Sequence, residues 1–239
     1  MTITNIVNKP KKIITSWKDI PYGEYYLLVL NQQLKLWWPK IFGFYLLKIG
    51  NFSAQIDTTI SFINKQYSIN TVGDNFQLHG NPHYMPFKNK CIDVCLLMQE
   101  LSYTNHPYWL LREIDRILID DGWLIISNYN LISILGIAKC CPFLRKKEPY
   151  KHKMFSIWKQ LQWLKLLNYQ VIYKKSFQKI PYIHANNIIN NCMIYTGCIT
   201  LLIARKRTFP INKISSNLIQ KKSMIKLTNI FNNKKYFFN

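Results

Sequence analysis

A lone glycine follows an apolar run in the segment KIGNFSA at residues 48–54. Glycine lets a ligand approach the backbone closely, and in an open parallel sheet the ligand lies beyond the carboxyl ends of the strands. Backbone and side-chain donors of Gly50, Asn51 and Ser53 are therefore candidates for contacting a bound molecule. A plain strand-to-helix turn explains these residues equally well, so the surrounding elements must decide between the two interpretations.

The residue types that most often perform acid-base or metal chemistry are scattered along the chain. Its five histidines are scattered along the chain, most of them in predicted loops, and its six cysteines form no CxxC pair and lack a paired histidine spacing. We therefore expect no zinc site and thiols that stay reduced. No catalytic base can be named from the sequence.

Residues 81–127 have the pattern of a strand, a helix, a turn and a second strand. Residues 92–98 are an apolar run without alternation, which is typical of a strand covered on both faces. Pro107 opens a helix of amphipathic spacing, Asp121-Gly122 is expected to end it, and residues 123–127 form the next strand. This unit predicts a parallel α/β sheet and a nucleotide-type cofactor, although any doubly wound domain fits the pattern alone.

The remaining elements are predicted around this unit. A helical lead-in is expected at residues 17–38. Strands are expected at residues 44–49, 66–72, 76–79, 169–177 and 198–204, the last returning to the sheet edge, and helices at residues 55–63, 131–138 and 154–167. The predicted organisation is an N-terminal lead-in (1–40), one α/β domain (41–204) and a basic, disordered tail (205–239).

The run MPFKNKCIDVCLLMQEL, followed by PYWLLREIDRILIDDGWLIIS, resembles the second half of class I S-adenosylmethionine-dependent methyltransferases. The resemblance covers residues 42–205 and is specific between residues 85 and 127. The lead-in IPYGEYY…WWPKIFGFYLLKIGNFSA is also similar to that of a small group of uncharacterised bacterial proteins of this class. The resemblance implies a Rossmann-like α/β fold with a mostly parallel seven-stranded sheet and helices on both faces. It also implies S-adenosylmethionine as the cofactor and methyl transfer to an unknown acceptor.

The resemblance assigns cofactor contacts first at the glycine turn. The family usually carries an acid and then alternating glycines there. This chain has Lys48 at the acid position, keeps Gly50, and has phenylalanine and alanine in place of the later glycines. Even in this degenerate form, the motif implies that Gly50, Asn51 and Ser53 contact the amino-acid portion of the cofactor.

Further cofactor contacts are implied beyond the other strands. The acid that normally binds the ribose falls at Asn70, with Asp74 as the nearest carboxylate downstream, and the adenine-side acid corresponds to Asn81. An asparagine can still form these hydrogen bonds. Met98 and Gln99 follow the fourth strand beside the sulfonium, where a polarizable thioether and a neutral amide suit a cation. A surface turn at Asn81 and core packing of Met98 are the alternatives.

The acceptor side is predicted at the end of the fifth strand. Tyr129 and Asn130, in SNYN, face the acceptor in this fold class, and Tyr150 lies in a basic loop that either closes over the substrate or is a solvated connector. The NPPY-type signature of amino-group methyltransferases is absent, so the acceptor is not identified. Asp93, an acid within the fourth strand, is expected to fix a backbone turn rather than to perform chemistry.

The charge is strongly positive and unevenly distributed. The formal net charge is +21, and residues 149–239 contain no aspartate or glutamate. A basic surface attracts RNA or an anionic membrane, whereas compositional drift towards lysine, asparagine and isoleucine produces the same charge without any partner. The first interpretation leads to an alternative function, a catalytically silent methyltransferase-like fold that binds RNA.

No segment is apolar over the roughly 20 residues that a membrane-spanning helix needs. The first residues, MTITNIVNKPKK, lack the apolar core of a secretory signal. We therefore expect a cytoplasmic protein, and the sequence predicts no particular oligomeric state.

Overall fold

The computed structural model describes residues 15–70, 77–145, 147–177 and 196–208. Within these residues the strands are β1 Tyr45–Ile49, β2 Lys65–Asn70, β3 Leu78–His79, β4 Ile92–Met98, β5 Leu118–Tyr129, β6 Tyr169–Phe177 and β7 Ile199–Lys206. They form one seven-stranded sheet in the order β3-β2-β1-β4-β5-β7-β6.

Strands β1 to β5 are parallel, as the sequence predicts. Strand β1 pairs with β2 and β4, and β4 pairs with β1 and β5, so β4 is an interior strand. Its residues from Val94 to Met98 are all buried, as expected when both faces of a strand are covered. The carboxyl ends of β1, β4 and β5 therefore meet along one side of the sheet, which we call the carboxyl edge.

Helices cover both faces of this sheet. They are α1 Gly23–Lys35, α2 Asn51–Ala54, α3 Glu100–Tyr103, α4 Pro107–Ile117, α5 Ile134–Ala138 and α6 Ile157–Leu166. One face packs against α1, and the other packs against α4 and α6. Helix α4 buries the apolar stripe that its spacing predicts, namely Leu110, Leu111, Ile114 and Ile117. This arrangement confirms the Rossmann-like α/β class.

The N-terminal lead-in is only partly α-helical and shares a core with the sheet. It consists of a 3-10 turn at Trp17–Asp19, helix α1 and a second 3-10 turn at Trp38–Lys40. The indole nitrogen of Trp17 donates to the carbonyl of Phe52 over 3.0 Å, and that of Trp38 donates to the carbonyl of Asp57 over 3.1 Å. The lead-in therefore holds the segment that follows β1.

The helix predicted at residues 55–63 is wrong. Oδ1 of Asp57 accepts hydrogen bonds from the backbone nitrogen of Thr59 over 3.0 Å and from its hydroxyl over 2.8 Å. Side-chain bonds of this kind compete with the helical ladder. The short helix α2 ends at Ala54, and the chain continues to β2 without another helix.

Two predicted helices begin later than expected because serines cap them. The hydroxyl of Ser133 accepts from the backbone nitrogen of Gly136, and that of Ser156 accepts from the backbone nitrogen of Lys159, each over 3.3 Å. Such a cap satisfies an N–H group that the first helical turn leaves without a partner. Helices α5 and α6 therefore start three residues after the predicted positions 131 and 154.

Strand β5 begins earlier than predicted, so Asp121-Gly122 does not end the helix. Leu118, expected at the end of α4, instead pairs with Ile92 of β4. The pairing register shifts before Val94 meets Trp123, and Asp121 has a φ of 61° at this irregularity. The Asp-Gly pair thus lies within the strand, where left-handed backbone is accommodated in a bulge.

Strand β7 does not occupy the sheet edge as predicted. It is antiparallel to both β5 and β6 and lies between them, which leaves β6 at the edge. It also continues through Arg205 and Lys206, which were expected to begin the tail. The ammonium of Lys206 lies 3.1 Å from a carboxylate oxygen of Asp115, and this ion pair ties the strand's end to α4.

The chain divides into two units between Arg207 and Thr208, and every element described above lies in the first. The predicted disorder of the tail is wrong for Arg205 and Lys206, which belong to β7, and residues 209–239 lie outside the described ranges. Among the described helices, none is long and apolar enough to cross a membrane.

Candidate functional site

The glycine turn, residues 50–54, leaves the carboxyl end of β1. Gly50 has φ 85° and ψ 164°, a backbone conformation that is essentially restricted to glycine. Its backbone nitrogen donates to the carbonyl of Ile69 on β2 over 3.0 Å, which fixes the turn against the neighbouring strand. The single glycine that the sequence retains therefore occupies the position where no other residue fits without strain.

A carboxylate from α3, the helix that follows β4, lies against this glycine. A Cβ placed on Gly50 would be 2.0 Å from Oε2 of Glu100, the first residue of α3. The carboxyl group of Glu100 forms no hydrogen bond or ion pair with a described residue, and burial raises its pKa to about 7. Sequence reasoning missed Glu100, because the proximity of residues 50 and 100 follows only from the pairing of β1 with β4.

Gln99 lies between β4 and α3 in a strained conformation. Its φ is 58°, which is uncommon for a residue with a side chain. The side chain is completely buried, yet neither its amide nitrogen nor its amide oxygen has a hydrogen-bond partner among the described residues. Met98, the preceding residue, is also completely buried. Unused donors and acceptors are costly inside a protein, so this amide is suited to a polar ligand.

Two other residues of this region have structural partners. The hydroxyl of Ser53 accepts from the backbone nitrogen of Met98 over 2.8 Å, so it joins α2 to β4. The ammonium of Lys48 donates to the carbonyl of Ile56 over 3.2 Å, and burial lowers its pKa while Asp57 opposes this effect. Asn51 is half-buried at the start of α2. Cofactor contacts by Asn51 and Ser53 stay predictions.

The predicted adenosine side is less well defined. Asn81 is exposed, and its Oδ1 accepts from the backbone nitrogen of His83 over 2.9 Å, an arrangement typical of a surface turn. Asn70 is buried at the carboxyl end of β2. Asp74 lies outside the described residues. Contacts of Asp74 and Asn81 with the cofactor stay predictions.

The predicted acceptor residues lie near the end of β5. Tyr129 is completely buried with its ring 6.4 Å from that of Tyr26, and its hydroxyl has no hydrogen-bond partner among the described residues. The side chain of Asn130 instead anchors the local backbone, because Nδ2 donates to the carbonyl of Gly197 and Oδ1 accepts from the nitrogen of Ile132. Acceptor binding by these residues stays a prediction.

A cavity of about 230 Å³ opens beside these residues. Tyr150, the third predicted acceptor residue, lines it together with Tyr26 and Glu148. A larger cavity of about 400 Å³ lies between α1 and the loop that contains Asp57 and Ile60. The smaller cavity is the better candidate for the acceptor, because the ring of Tyr26 joins it to Tyr129 at the carboxyl edge.

Tyr103 connects the glycine turn to a histidine that sequence reasoning left unassigned. The ring of Tyr103 lies 5.1 Å from that of Phe52 on α2 and 3.9 Å from that of His152. Nε2 of His152 lies 2.8 Å from Oε2 of Glu148. Burial raises the pKa of Tyr103, and Glu148 and Glu100 raise this pKa further, so its hydroxyl stays neutral. We call Tyr26, Tyr103, Tyr129, Glu148 and His152 the acceptor-side cluster.

The amino-acid end of S-adenosylmethionine fits the residues at the glycine turn. That end of the cofactor carries several charged donors and acceptors. Gly50 permits close approach to the backbone, and the buried amide of Gln99 offers an unused donor and an unused acceptor. The acidic residue usual in this turn is absent, but a carboxylate is still present there through Glu100.

Comparison with known proteins identifies the family of this chain. A family model described as a methyltransferase domain matches residues 45–126, from β1 to β5. The uncharacterised protein YafS of Escherichia coli strain K12 is 43% identical over 196 residues, which cover 82% of each chain.

Solved structures share the fold. An S-adenosylmethionine-dependent methyltransferase from Archaeoglobus fulgidus superposes with a TM-score of 0.57 at 14% identity, covering 77% of this chain and 97% of its own. One from Thermotoga maritima gives a TM-score of 0.52 at 18% identity, with coverages of 77% and 96%. The family and cofactor expected from the sequence are confirmed: the chain belongs to the class I S-adenosylmethionine-dependent methyltransferases.

Proposed function

We propose that this methyltransferase holds the amino-acid portion of S-adenosylmethionine at the glycine turn and methylates a small acceptor that carries a dissociable proton. The acceptor binds in the cavity beside Tyr26, Glu148 and Tyr150. The observation that carries this proposal is the position of Tyr103, whose ring contacts both Phe52 of the glycine turn and His152. One aromatic ring, that of Tyr103, therefore separates the glycine turn from His152 and its neighbour Glu148.

The chain's own residues supply positioning and proton transfer. The bound cofactor supplies an electrophilic methyl group on a sulfonium. Methyl transfer depends chiefly on in-line alignment in a site without water, and the buried rings of Tyr26 and Tyr129 favour such a site. His152 receives the proton that the acceptor loses, and Glu148, at 2.8 Å, stabilises the imidazolium that results.

One observation favours the alternative of a silent fold that binds RNA. Lys48 lies at the position of the usual acid, and its ammonium donates a hydrogen bond to the carbonyl of Ile56 in the following loop. If the glycine turn has lost cofactor binding, the basic surface becomes the functional feature. Glu100 and Gln99 argue for the enzyme, since a carboxylate held against Gly50 and a neighbouring buried amide without a partner are unfavourable unless they bind a ligand.

The test combines binding and turnover. Isothermal titration with S-adenosylhomocysteine measures binding at the turn, and incubation with CD3-labelled S-adenosylmethionine and a small-molecule extract of bacterial cells identifies labelled products by mass spectrometry. We expect binding and at least one labelled product. Absence of both would reject the enzyme and leave the silent-fold alternative.

The role of His152 is tested with a matched pair of variants. His152→Gln should lower the rate of labelled product formation by about 100-fold or more, the usual contribution of a general base. Its affinity for S-adenosylhomocysteine should be unchanged. His106→Gln, at an exposed position, should leave both quantities unchanged. Equal rates for the two variants would exclude His152 as the base.

A further inference from the structure

We infer that Glu100 is the carboxylate that binds the α-ammonium group of S-adenosylmethionine, in place of the acid that the glycine turn has lost. The inference rests on the proposed function, since it requires the cofactor's amino-acid portion to lie at the glycine turn. It assigns to α3 a contact that the family motif places at the end of β1.

The geometry at Gly50 supports this assignment. Oε2 of Glu100 lies 2.0 Å from the position that a Cβ on residue 50 would occupy. The carboxylate therefore lies directly over the backbone of the turn, where a ligand held by that backbone must also lie. Glycine at this position is required both for its backbone angles and to leave room for the carboxylate.

The surroundings of Glu100 lack a cation. Among the described residues, none forms an ion pair or a hydrogen bond with this carboxylate, and burial alone accounts for its raised pKa. Lys48, the basic residue on β1 nearest in sequence to the turn, instead donates to the carbonyl of Ile56, and the charge of Asp57 raises its pKa against the effect of burial. Glu100 is half-buried. A half-buried carboxylate without a partner is unfavourable in the free protein, and an ammonium group removes that penalty.

Gln99 provides a second, independent observation. Its completely buried amide has an unused donor and an unused acceptor directly beside Glu100 in sequence. An α-amino acid group presents an ammonium and a carboxylate on one carbon. Glu100 matches the ammonium, and the amide nitrogen of Gln99 matches the carboxylate as a donor.

The experiment compares two ligands that differ only in the amino group. Isothermal titration of the wild-type full chain with S-adenosylhomocysteine and with its desamino analogue should show tighter binding of the first by about 10- to 100-fold, the usual range for a charged hydrogen bond. Glu100→Gln should lose a similar factor for S-adenosylhomocysteine and almost nothing for the desamino analogue. Glu24→Gln, on an exposed glutamate of α1, should resemble wild type with both ligands.

Each other outcome overturns the inference. Equal wild-type affinity for the two ligands shows that the amino group is not recognised, and this result requires no variant. Tighter binding of S-adenosylhomocysteine by Glu100→Gln shows that the carboxylate blocks the turn, and unchanged binding shows that it has no role; the proposed function survives all of these results. If wild type binds neither ligand, the proposed function fails and the inference fails with it.

Discussion

The ionised carboxylate of Glu100 lowers the stability of the ligand-free protein, and the same carboxylate is the group that we infer to bind the cofactor. Its carboxyl group lies against the glycine turn, and its charge raises the pKa of Tyr103 on α3. Tyr103 stays neutral because its pKa is raised, so it provides no compensating charge. The ionised form of Glu100 therefore opposes folding until a cation is bound.

We predict that Glu100→Gln stabilises the ligand-free protein in a pH-dependent manner. The pKa of Glu100 is about 7 in the folded protein, against an ordinary 4.5. Between these values the folded state binds the proton more tightly, so wild-type stability falls as pH rises from 4.5 to 7. The variant lacks this loss and should be more stable by roughly 3 kcal/mol at pH about 8, but not at pH about 4.5.

Urea unfolding at several pH values checks this prediction. Glu24→Gln serves as the control, since a change at an exposed glutamate should alter stability by less than about 0.5 kcal/mol at any pH. A constant difference between Glu100→Gln and wild type from acidic to alkaline pH would contradict a raised pKa at Glu100.

Gly50 is expected to tolerate no side chain. Gly50→Ala should destabilise the protein by about 1 to 3 kcal/mol, because alanine is strained at φ 85°. The new methyl group also meets the carboxylate of Glu100, so the loss should be smaller when Gly50→Ala is made together with Glu100→Ala. Thermal unfolding of the two single variants and the double variant measures this coupling, and independent effects would mean that Glu100 does not lie over the turn.

At the scale of elements, the carboxyl edge depends on how β4 is joined to its neighbours. Asp93 lies near the start of β4, and its Oδ2 accepts from the backbone nitrogens of Phe44 and Tyr45 over 3.1 and 2.9 Å. At the other end, the backbone of Met98 donates to Ser53. These bonds fix β1 and α2 relative to β4, and thereby place Gly50 next to Glu100.

Asp93→Ala should therefore reduce stability without removing a ligand contact. Two backbone donors lose a charged acceptor, which corresponds to about 1 to 3 kcal/mol of unfolding free energy. Asp93→Asn keeps one acceptor oxygen and should lose less. Urea unfolding gives the stabilities, and titration with S-adenosylhomocysteine should show an affinity within about twofold of wild type for the folded protein. A large loss of affinity in Asp93→Asn would assign this residue to the site.

In the molecule as a whole, ion pairs between basic residues and aspartates hold the carboxyl end of β7, the last described strand. Lys206 pairs with Asp115, and the guanidinium of Arg205 lies 3.7 Å from a carboxylate oxygen of Asp121. The backbone nitrogen of Arg207 donates to the carbonyl of Asn168 over 3.0 Å. These contacts bind the chain to the domain as far as residue 207.

A chain that ends at Arg207 should fold and bind cofactor like the full chain. It keeps every described strand and helix. We expect a melting temperature within about 2 °C of the full chain, as for a surface change, and the same affinity for S-adenosylhomocysteine. A drop of more than about 5 °C would show that residues 208–239 stabilise the domain.

The net charge of +21 makes some attraction to RNA unavoidable. If the charge reflects composition alone, binding to single-stranded RNA should be weak and should disappear as salt rises from about 50 to about 200 mM, since each neutralised phosphate releases counterions. Fluorescence anisotropy of the full chain measures this dependence. Tight binding that persists at the higher salt concentration would indicate a specific RNA-binding site and favour the silent-fold alternative.

Residue spacing is sufficient to predict the strand-helix-strand unit around β4 and most of the strands of the sheet. The apolar run of β4 and the stripe of α4 follow from periodicity, which depends only on local spacing, and the limits of β6 agree with the sequence prediction. The same sequence did not reveal the position of β7, the missing helix after Ala54 or the serine caps, because side-chain hydrogen bonds and strand insertion override local preference.

Which residues meet at the carboxyl edge depends on the tertiary packing of the chain. The sequence predicts Gly50 and Gln99 as cofactor contacts, but it does not point to Glu100 or His152. The pairing of β1 with β4 brings Glu100 to Gly50, and the packing of Tyr103 brings His152 towards the glycine turn. Residues far apart along the chain become neighbours through strand register and ring contacts. The spacing of residues along the sequence predicts neither the register nor the ring contacts, because both depend on how distant segments pack.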